Sequence, residues 1–300
     1  MRRGKGIFSL AEEPGERQVH RQPANGHGAD KVSTVTKRFQ YFDRFPAPLG
    51  FSHRGYSRDG LENTLPAFRA AADLGFGYLE TDVRTTRDGV LLAFHDRSLD
   101  RVAGSGGRIG GLSLREVRHA LVGGVEQIPT FEELLTALPE AFLNVDVKDA
   151  AGSAELARLI NKHGAHDRVL VASFSDRRRL DTLRRLSWPA ASSAGGLFTT
   201  LTVLLAGLGL ARPLARLGRY QCLQVPERYG AVRVVTRGFL DRCHRAGLQV
   251  HVWTVNEEPD MERLLALGVD GLISDRADRL AALLAVRGTW PQVRNAETSR

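Results

Sequence analysis

From about residue 48 onward, short apolar runs alternate with stretches whose apolar residues recur at i, i+3 and i+4. The runs LGFSHRG (49–55), YLETDVRTT (78–86), AFLNVDVKD (141–149), RVLVASFS (168–175), ASSAGG (191–196), CLQVP (222–226), LQVHVWTVN (248–256) and GVDGLISD (268–275) read as strands. LPAFRAAADLG, FEELLTALP, AELARLINKHG, RRRLDTLRRL, TRGFLDRCHRAG, PDMERLLALG and RADRLAALLAV read as amphipathic helices between or after them. Several stop at a glycine, as at Gly75, Gly164, Gly247 and Gly268. Eight strands alternating with helices over about 235 residues predict an α/β chain folded as a (β/α)8 TIM barrel. A doubly wound open sheet is the alternative, but the GxGxxG turn expected after its first strand is absent.

Two segments break the alternation. Residues 97–128 are polar and Gly-rich and read as a small insertion after the second strand. AGGLFTTLTVLLAGLGLA (194–211) is almost wholly apolar. Its glycines and its place in the alternation favour a barrel helix. A lid touching a membrane and a transmembrane span are the alternatives that its length allows. Residues 1–45 have no hydrophobic period and read as a disordered basic tail. The barrel is expected over 46–287, and 288–300 as a C-terminal tail.

Composition narrows the classes. A chain of 300 residues, 42% hydrophobic and 25% charged, has material for a sizeable core. Its net charge is +8, and residues 1–45 carry nine basic and five acidic side chains. The remainder is too dilute for a nucleic-acid groove, and no basic stripe with interleaved aromatics occurs. Cys222 and Cys243 lack metal-ligand spacing, as expected of reduced thiols in a cytoplasmic protein. The N-terminus lacks an apolar core of signal-peptide length.

The chemistry gathers at the carboxyl ends of the expected strands, where barrels of this kind work. In YLETDVRTT, period two puts Glu80 and Asp82 on one side with Tyr78 and Arg84. Adjacent buried carboxylates repel, so they need a cation. Asp146, with Asn144 and Lys148 on the neighbouring strand, adds a third acid. Two answers stand: ion pairs with Arg84 and Lys148, or a hard divalent ion on oxygen ligands, Mg2+ or Ca2+. His53 and His95 end strands beside the cluster and suit acid and base roles near neutral pH. Arg54 suits a phosphate. Glu62, at the start of the first helix, is placed to hold Arg54 or a substrate hydroxyl, while Asn63 or Thr64 caps that helix.

HRGYSRDGLENTLPAF, LETDVRTTRDGVLLAFHDRSLDR, NVDVKD, VHVWTVNE and GVDGLISD together resemble the glycerophosphodiester phosphodiesterases over about residues 49–280. The resemblance implies a (β/α)8 barrel with an insertion after strand two and a divalent cation on Glu80, Asp82 and Asp146. In the family the third acid is usually glutamate, so Asp146 keeps the charge with one methylene less reach. The resemblance further implies His53 and His95 as acid/base pair, Arg54 on phosphate, Glu62 and Lys148 lining the site, and Trp253 shaping it. The reaction implied is hydrolysis of a glycerophosphodiester to glycerol 3-phosphate and an alcohol. A lysophospholipase D activity on lysophospholipids, with 194–211 touching a membrane peripherally, is the alternative. A non-catalytic binding barrel is the third, and the intact histidines and acids argue against it.

Overall fold

The computed structural model describes residues 39–292, apart from 46, 58 and 105. Eight parallel strands make up the barrel: β1 (Leu49–His53), β2 (Tyr78–Thr85), β3 (Phe142–Val147), β4 (Val169–Ala172), β5 (Ala191–Ser192), β6 (Cys222–Pro226), β7 (Gln249–Trp253) and β8 (Gly271–Ser274). Their spatial order is β5-β4-β3-β2-β1-β8-β7-β6. The seam between β5 and β6 is held by a bridge from Ser193 to Cys222, where the Ala194 N–H donates to the Cys222 carbonyl at 2.9 Å. Among the described residues, nine helices of seven or more residues surround the strands: α1 (Leu65–Asp73), α2 (Phe131–Ala137), α3 (Ala151–His163), α4 (Asp176–Arg185), α5 (Gly196–Leu205), α6 (Ala211–Gly218), α7 (Arg237–Arg245), α8 (Glu258–Leu267) and α9 (Ala277–Val286).

Local chemistry sets the helix ends. Thr64 caps α1 by accepting from the Ala67 N–H, and Thr130 with Glu133 forms a reciprocal capping box on α2. Gly164 and Gly268 end α3 and α8 at φ values of 60° and 98°, where a Cβ would be strained.

The period-two pattern sorts the strands into two cores. Leu79, Val83, Leu143, Val145, Val171, Val225, Val252 and Leu272 face outward and pack against the helices. Leu49, Phe51, Tyr78, Phe142, Leu170, Ala191, Cys222 and Ile273 face inward and fill the barrel. The inward residues near the strand starts are apolar or aromatic. Those near the strand ends are polar, and they become the site.

Three boundaries differ from the sequence expectation. The tail was expected to run to residue 45, yet Gln40–Asp43 form a helical turn and Tyr41 is fully buried. Tyr41 lies 5.2 Å from the Tyr78 ring and 5.7 Å from Phe142, and Phe45 lies 5.4 Å from Tyr78. The Tyr78 hydroxyl donates to the Tyr41 carbonyl. These aromatics seal the barrel at the amino ends of its strands, where apolar interior would otherwise meet water. The rest of the expected tail, 1–38, lies outside the described residues. At the other end, Trp290 stacks edge-on against Phe76 at 4.6 Å and Gln292 is buried, so the chain is packed past residue 287. Residues 293–300 lie outside the described part. The fifth strand is shorter than its apolar run, because the Gly196 N–H turns to the Phe174 carbonyl at 2.8 Å and opens α5.

Residues 90–128 leave β2 through Leu91–Ala93, which pairs back antiparallel on β2 from Val83 to Thr85. Short helices and a small hairpin follow, over their own apolar cluster of Leu92, Phe94, Leu99, Ile109, Val117 and Ile128. The apolar segment 194–211 is α5 with a following turn. Among the described residues no helix is long and apolar enough to cross a membrane.

Candidate active site

The site is the polar upper layer of the barrel interior. Parallel register places His53 beside Glu80, Glu80 beside Asn144, and Asp82 beside Asp146. The antiparallel return after β2 brings in His95, since the Phe94 N–H donates to the Asp82 carbonyl at 2.8 Å. Arg54 and Asn63 both hold φ at 56°, in the left-handed region that asparagine tolerates and arginine rarely adopts. That geometry costs about 1–2 kcal/mol at Arg54. The Asn63 N–H donates to the Arg54 carbonyl, and Asn63 Oδ1 accepts from Thr81 Oγ1 at 2.8 Å. Gly55 follows at φ 80°, where a Cβ would sit 2.7 Å from the Ala67 backbone. The HRG…ENT sequence is therefore a fixed turn that aims Arg54 across the barrel.

Arg54 meets Asp82 Oδ2 through Nε at 2.8 Å and donates from Nη1 to Glu62 Oε1 at 3.0 Å. The first contact is close but poorly aligned for a hydrogen bond, so both atoms remain without one. Lys148 Nζ bridges Asp82 Oδ1 at 2.8 Å and Asp146 Oδ2 at 2.7 Å. Its ammonium also lies 5.5 Å from the Phe174 ring centre. Arg84, expected as an ion-pair partner for the acids, instead donates to the His95 carbonyl at 2.7 Å. It sits where β2 turns into the hairpin and fastens the return strand.

Charge inside the cluster is uneven. Burial and the neighbouring Asp82 push Glu80 up to about 7. Burial also raises Asp146, with Lys148 opposing it. For Asp82 burial is outweighed by Lys148 and Arg54, and its pKa falls. Burial disfavours a charged His53, but Glu80 and Asp275 overcome it and raise its pKa. Glu80 Oε2 and Asp146 Oδ1 are buried without a hydrogen-bond partner. Together with Asp82 they are orphaned hard oxygens on adjacent strands, and that donor chemistry fits Mg2+ or Ca2+. The carboxylates are drawn to Arg54 and Lys148, and among the described residues no three His, Cys, Asp or Glu side chains form a ready-made metal cage.

Both histidines are anchored alike. His53 Nδ1 lies 2.5 Å from Asp275 Oδ1, and His95 Nδ1 lies 2.6 Å from Asp96 Oδ1. An aspartate at Nδ1 fixes the tautomer and leaves Nε2 for proton transfer. His53 Nε2 lies 3.7 Å from Glu80 Oε2. Asn256 supports Asp275 by donating to its Oδ2 at 2.8 Å. From the insertion, Arg101 donates to Asp96 at 2.6 Å and to both Glu62 oxygens at 2.6 and 2.9 Å. Asp275, Asn256 and Arg101 were not picked out from the sequence as site residues. Asp275 ends its strand as His53 does, but their contact needs β1 beside β8. Arg101 stands in the quoted LDR run. Trp253 stands edge-on to Phe174 at 5.8 Å on the far wall. Every residue expected at the site thus lies in one layer: His53, Arg54, Glu62, Glu80, Asp82, His95, Asp146, Lys148 and Trp253.

A profile of the glycerophosphoryl diester phosphodiesterase family matches residues 53–279. The chain belongs to that family. It is 45% identical over 257 residues to "Probable glycerophosphodiester phosphodiesterase 2" of Mycobacterium tuberculosis, covering 83% of this chain and 95% of that protein. It is 28% identical over 255 residues to a glycerophosphodiester phosphodiesterase of Caldanaerobacter subterraneus, covering 80% of this chain and 99% of that one. Among solved structures, an Oleispira antarctica phosphodiesterase in complex with sn-glycerol-3-phosphate superposes with a TM-score of 0.67 at 22% identity, covering 79% of this chain and 97% of that chain. The fold is the family's TIM barrel, and the chain is an enzyme, a phosphoric diester hydrolase.

Proposed function

We propose that this site hydrolyses glycerophosphodiesters to glycerol 3-phosphate and an alcohol, with His53 and His95 as the acid/base pair. The observation that carries the reading is the matched anchoring of the two imidazoles. Each has Nδ1 on an aspartate and Nε2 left for a substrate proton, with Arg54 and the carboxylates set nearby. One imidazole removes the proton of the attacking hydroxyl or water. The other protonates the departing alkoxide. Arg54, held by Glu62 and Asp82, binds the phosphate and balances charge as the phosphorus becomes pentacoordinate. Lys148 adds positive charge on the same wall. Glu80, Asp82 and Asp146 would hold Mg2+ or Ca2+, which when bound polarises a phosphoryl oxygen. The relatives' names and the product held by the Oleispira enzyme support this substrate class.

A lysophospholipid substrate is the second reading, and one feature favours it. Phe174 and Leu197 stand 61% and 62% exposed, and Phe174 contacts Trp253. Apolar side chains at a polar mouth offer an acyl chain a place to lie. In this reading residues 194–211 touch the membrane peripherally. Incubation with glycerophosphocholine and lysophosphatidylcholine, in Mg2+, Ca2+ or chelator, separates the cases. Release of glycerol 3-phosphate by the wild type, abolished in His53→Ala and in His95→Ala, supports the first. Faster turnover of the lysolipid supports the second. Full turnover by either histidine variant refutes the acid/base assignment.

A further inference from the structure

Away from the mouth, three arginines share a cavity of about 230 Å³ lined by Ala206, Gly207, Gly209, Ala211, Arg212, Arg242, Arg245 and Ala246. No acid lines it. Among the described residues none of the three guanidiniums forms an ion pair, and Arg242 Nε is buried without a hydrogen-bond partner. A buried donor of this kind is destabilising unless something accepts from it. Elsewhere on this chain arginines take carboxylate partners freely, as Arg263 does with Glu227 and Arg158 with Glu155. The walls are glycine and alanine, so backbone and guanidiniums bound the space. The cavity also receives the first residues of α6, whose N-cap, Leu210, offers no side-chain cap.

The same chain segment carries an uncovered apolar face. On α5, Phe198 and Thr202 turn inward, while Leu197 and Leu204 lie outward one heptad apart at 62% and 68% exposure. Leu208 follows at 75% and Leu210 at 39%. A helix against water is normally polar on that side. This one runs from the mouth, where Gly196 is tied to Phe174, to the arginine cavity, which Gly207 and Gly209 line between the leucines.

We propose that the Arg212–Arg242–Arg245 cavity binds the phosphate of an anionic phospholipid while Leu204, Leu208 and Leu210 enter the acyl region beside it. Charge and apolarity together select the occupant. Free phosphate would account for the arginines but not the leucines, and a neutral apolar surface would account for the leucines but not the arginines. With the outer face of α5 against the membrane, the barrel lies on its side and the mouth stands at the bilayer edge. The proposal deepens the peripheral contact of residues 194–211 and is independent of the acid/base assignment.

The test is co-sedimentation of the full chain with vesicles of phosphatidylcholine alone or with a third phosphatidylglycerol. The wild type is expected to bind only the anionic vesicles, and less tightly as salt rises. Arg212→Gln/Arg245→Gln is expected to bind about thirtyfold more weakly, from about 1 kcal/mol for each arginine charge removed. Leu204→Ser/Leu208→Ser is expected to weaken binding by a similar factor. Both variants should turn over a soluble glycerophosphodiester at the wild-type rate, which confirms that the fold is intact. The N-terminal basic residues are present throughout, so differences between variants report the cavity and the leucines. Absence of wild-type binding overturns the peripheral contact and the cavity together. Wild-type binding that survives the arginine exchange overturns the cavity alone. Saturable binding of inorganic phosphate at the arginines, lost in the arginine variant and without vesicle binding, overturns the lipid as its source.

Discussion

A buried imidazole in the barrel floor makes this fold sensitive to acid. His251 is fully buried on β7, stacked 4.9 Å from Phe51. Its Nε2 lies 3.0 Å from Gln249 Oε1 and its Nδ1 3.5 Å from Gln224 Nε2, the pattern of a neutral ring donating once and accepting once. Among the described residues no carboxylate pairs with it, and burial pushes its pKa down to about 3. In the unfolded chain it returns to about 6.5. Below that value the unfolded state binds a proton that the folded state refuses, so stability falls with pH. It is full above about 6.5 and declines until about 3. Each unit is about 1.4 kcal/mol, so a descent to pH 4.5 costs about 3 kcal/mol from this residue alone. His53 acts in the opposite direction: its raised pKa favours the folded state at low pH, and that contribution disappears as pH rises through the folded value. The perturbation is His251→Gln, which hydrogen-bonds but does not titrate. Urea unfolding between about pH 7.5 and 4.5 should show the wild type losing about 3 kcal/mol more than the variant. Equal losses would mean that the buried ring takes up a proton in the folded state and that the reasoning is wrong.

Other perturbations address the mouth and the floor separately. His53→Ala and His95→Ala should each lower kcat/KM by about 10²–10⁴ with the melting temperature unchanged; near-normal kinetics in either case removes that histidine from the chemistry. Arg101→Ala releases Glu62 and Asp96 together and should lower kcat about tenfold, with Arg101→Lys recovering part of the loss because one ammonium cannot make all three bonds. Tyr41→Ala should cost about 3–5 kcal/mol in denaturant unfolding while leaving kcat intact, and an unaffected stability would show that the aromatic seal is dispensable. Lys148→Met strips the cation between Asp82 and Asp146 and should destabilise by about 3–5 kcal/mol. Mg2+ or Ca2+ should then raise its melting temperature more than the wild type's; equal shifts count against a cation on these acids.

Period two was enough to place the site's inward residues, because barrel strands have only two sides. Tyr78, Glu80 and Asp82 were assigned one side together, and Leu79, Thr81 and Val83 the other. What period two leaves open is partner choice. Arg84 shares the side of Asp82, yet Arg54 reaches Asp82 because a left-handed turn after β1 points it inward. The His53–Asp275 contact joins residues 222 positions apart and depends on barrel closure, to which a strand-by-strand reading is blind. The N-terminal boundary is hidden for another reason. Polar and charged residues dominate the first stretch and mask the four aromatics of FQYFDRF. Read as Phe39, Tyr41, Phe42 and Phe45, they were the available signal for a plug.

Height along one strand separates stability from chemistry here. Tyr78 and Asp82 point the same way from β2, one into the aromatic floor and the other into the charged layer. The floor excludes water and tolerates only a neutral histidine. The layer above gathers three carboxylates and offsets them with two cations that also have other duties. Arg54 is shared with Glu62, and Lys148 is divided between two aspartates. Glu80 has neither cation against it, and burial together with the neighbouring Asp82 raises its pKa. Close packing below would not require an acid so placed, and a purely structural network would place an arginine or lysine against each acid. Its persistence on the one layer open to solvent is the physical reason to expect a positively charged visitor there, and a phosphate beyond it.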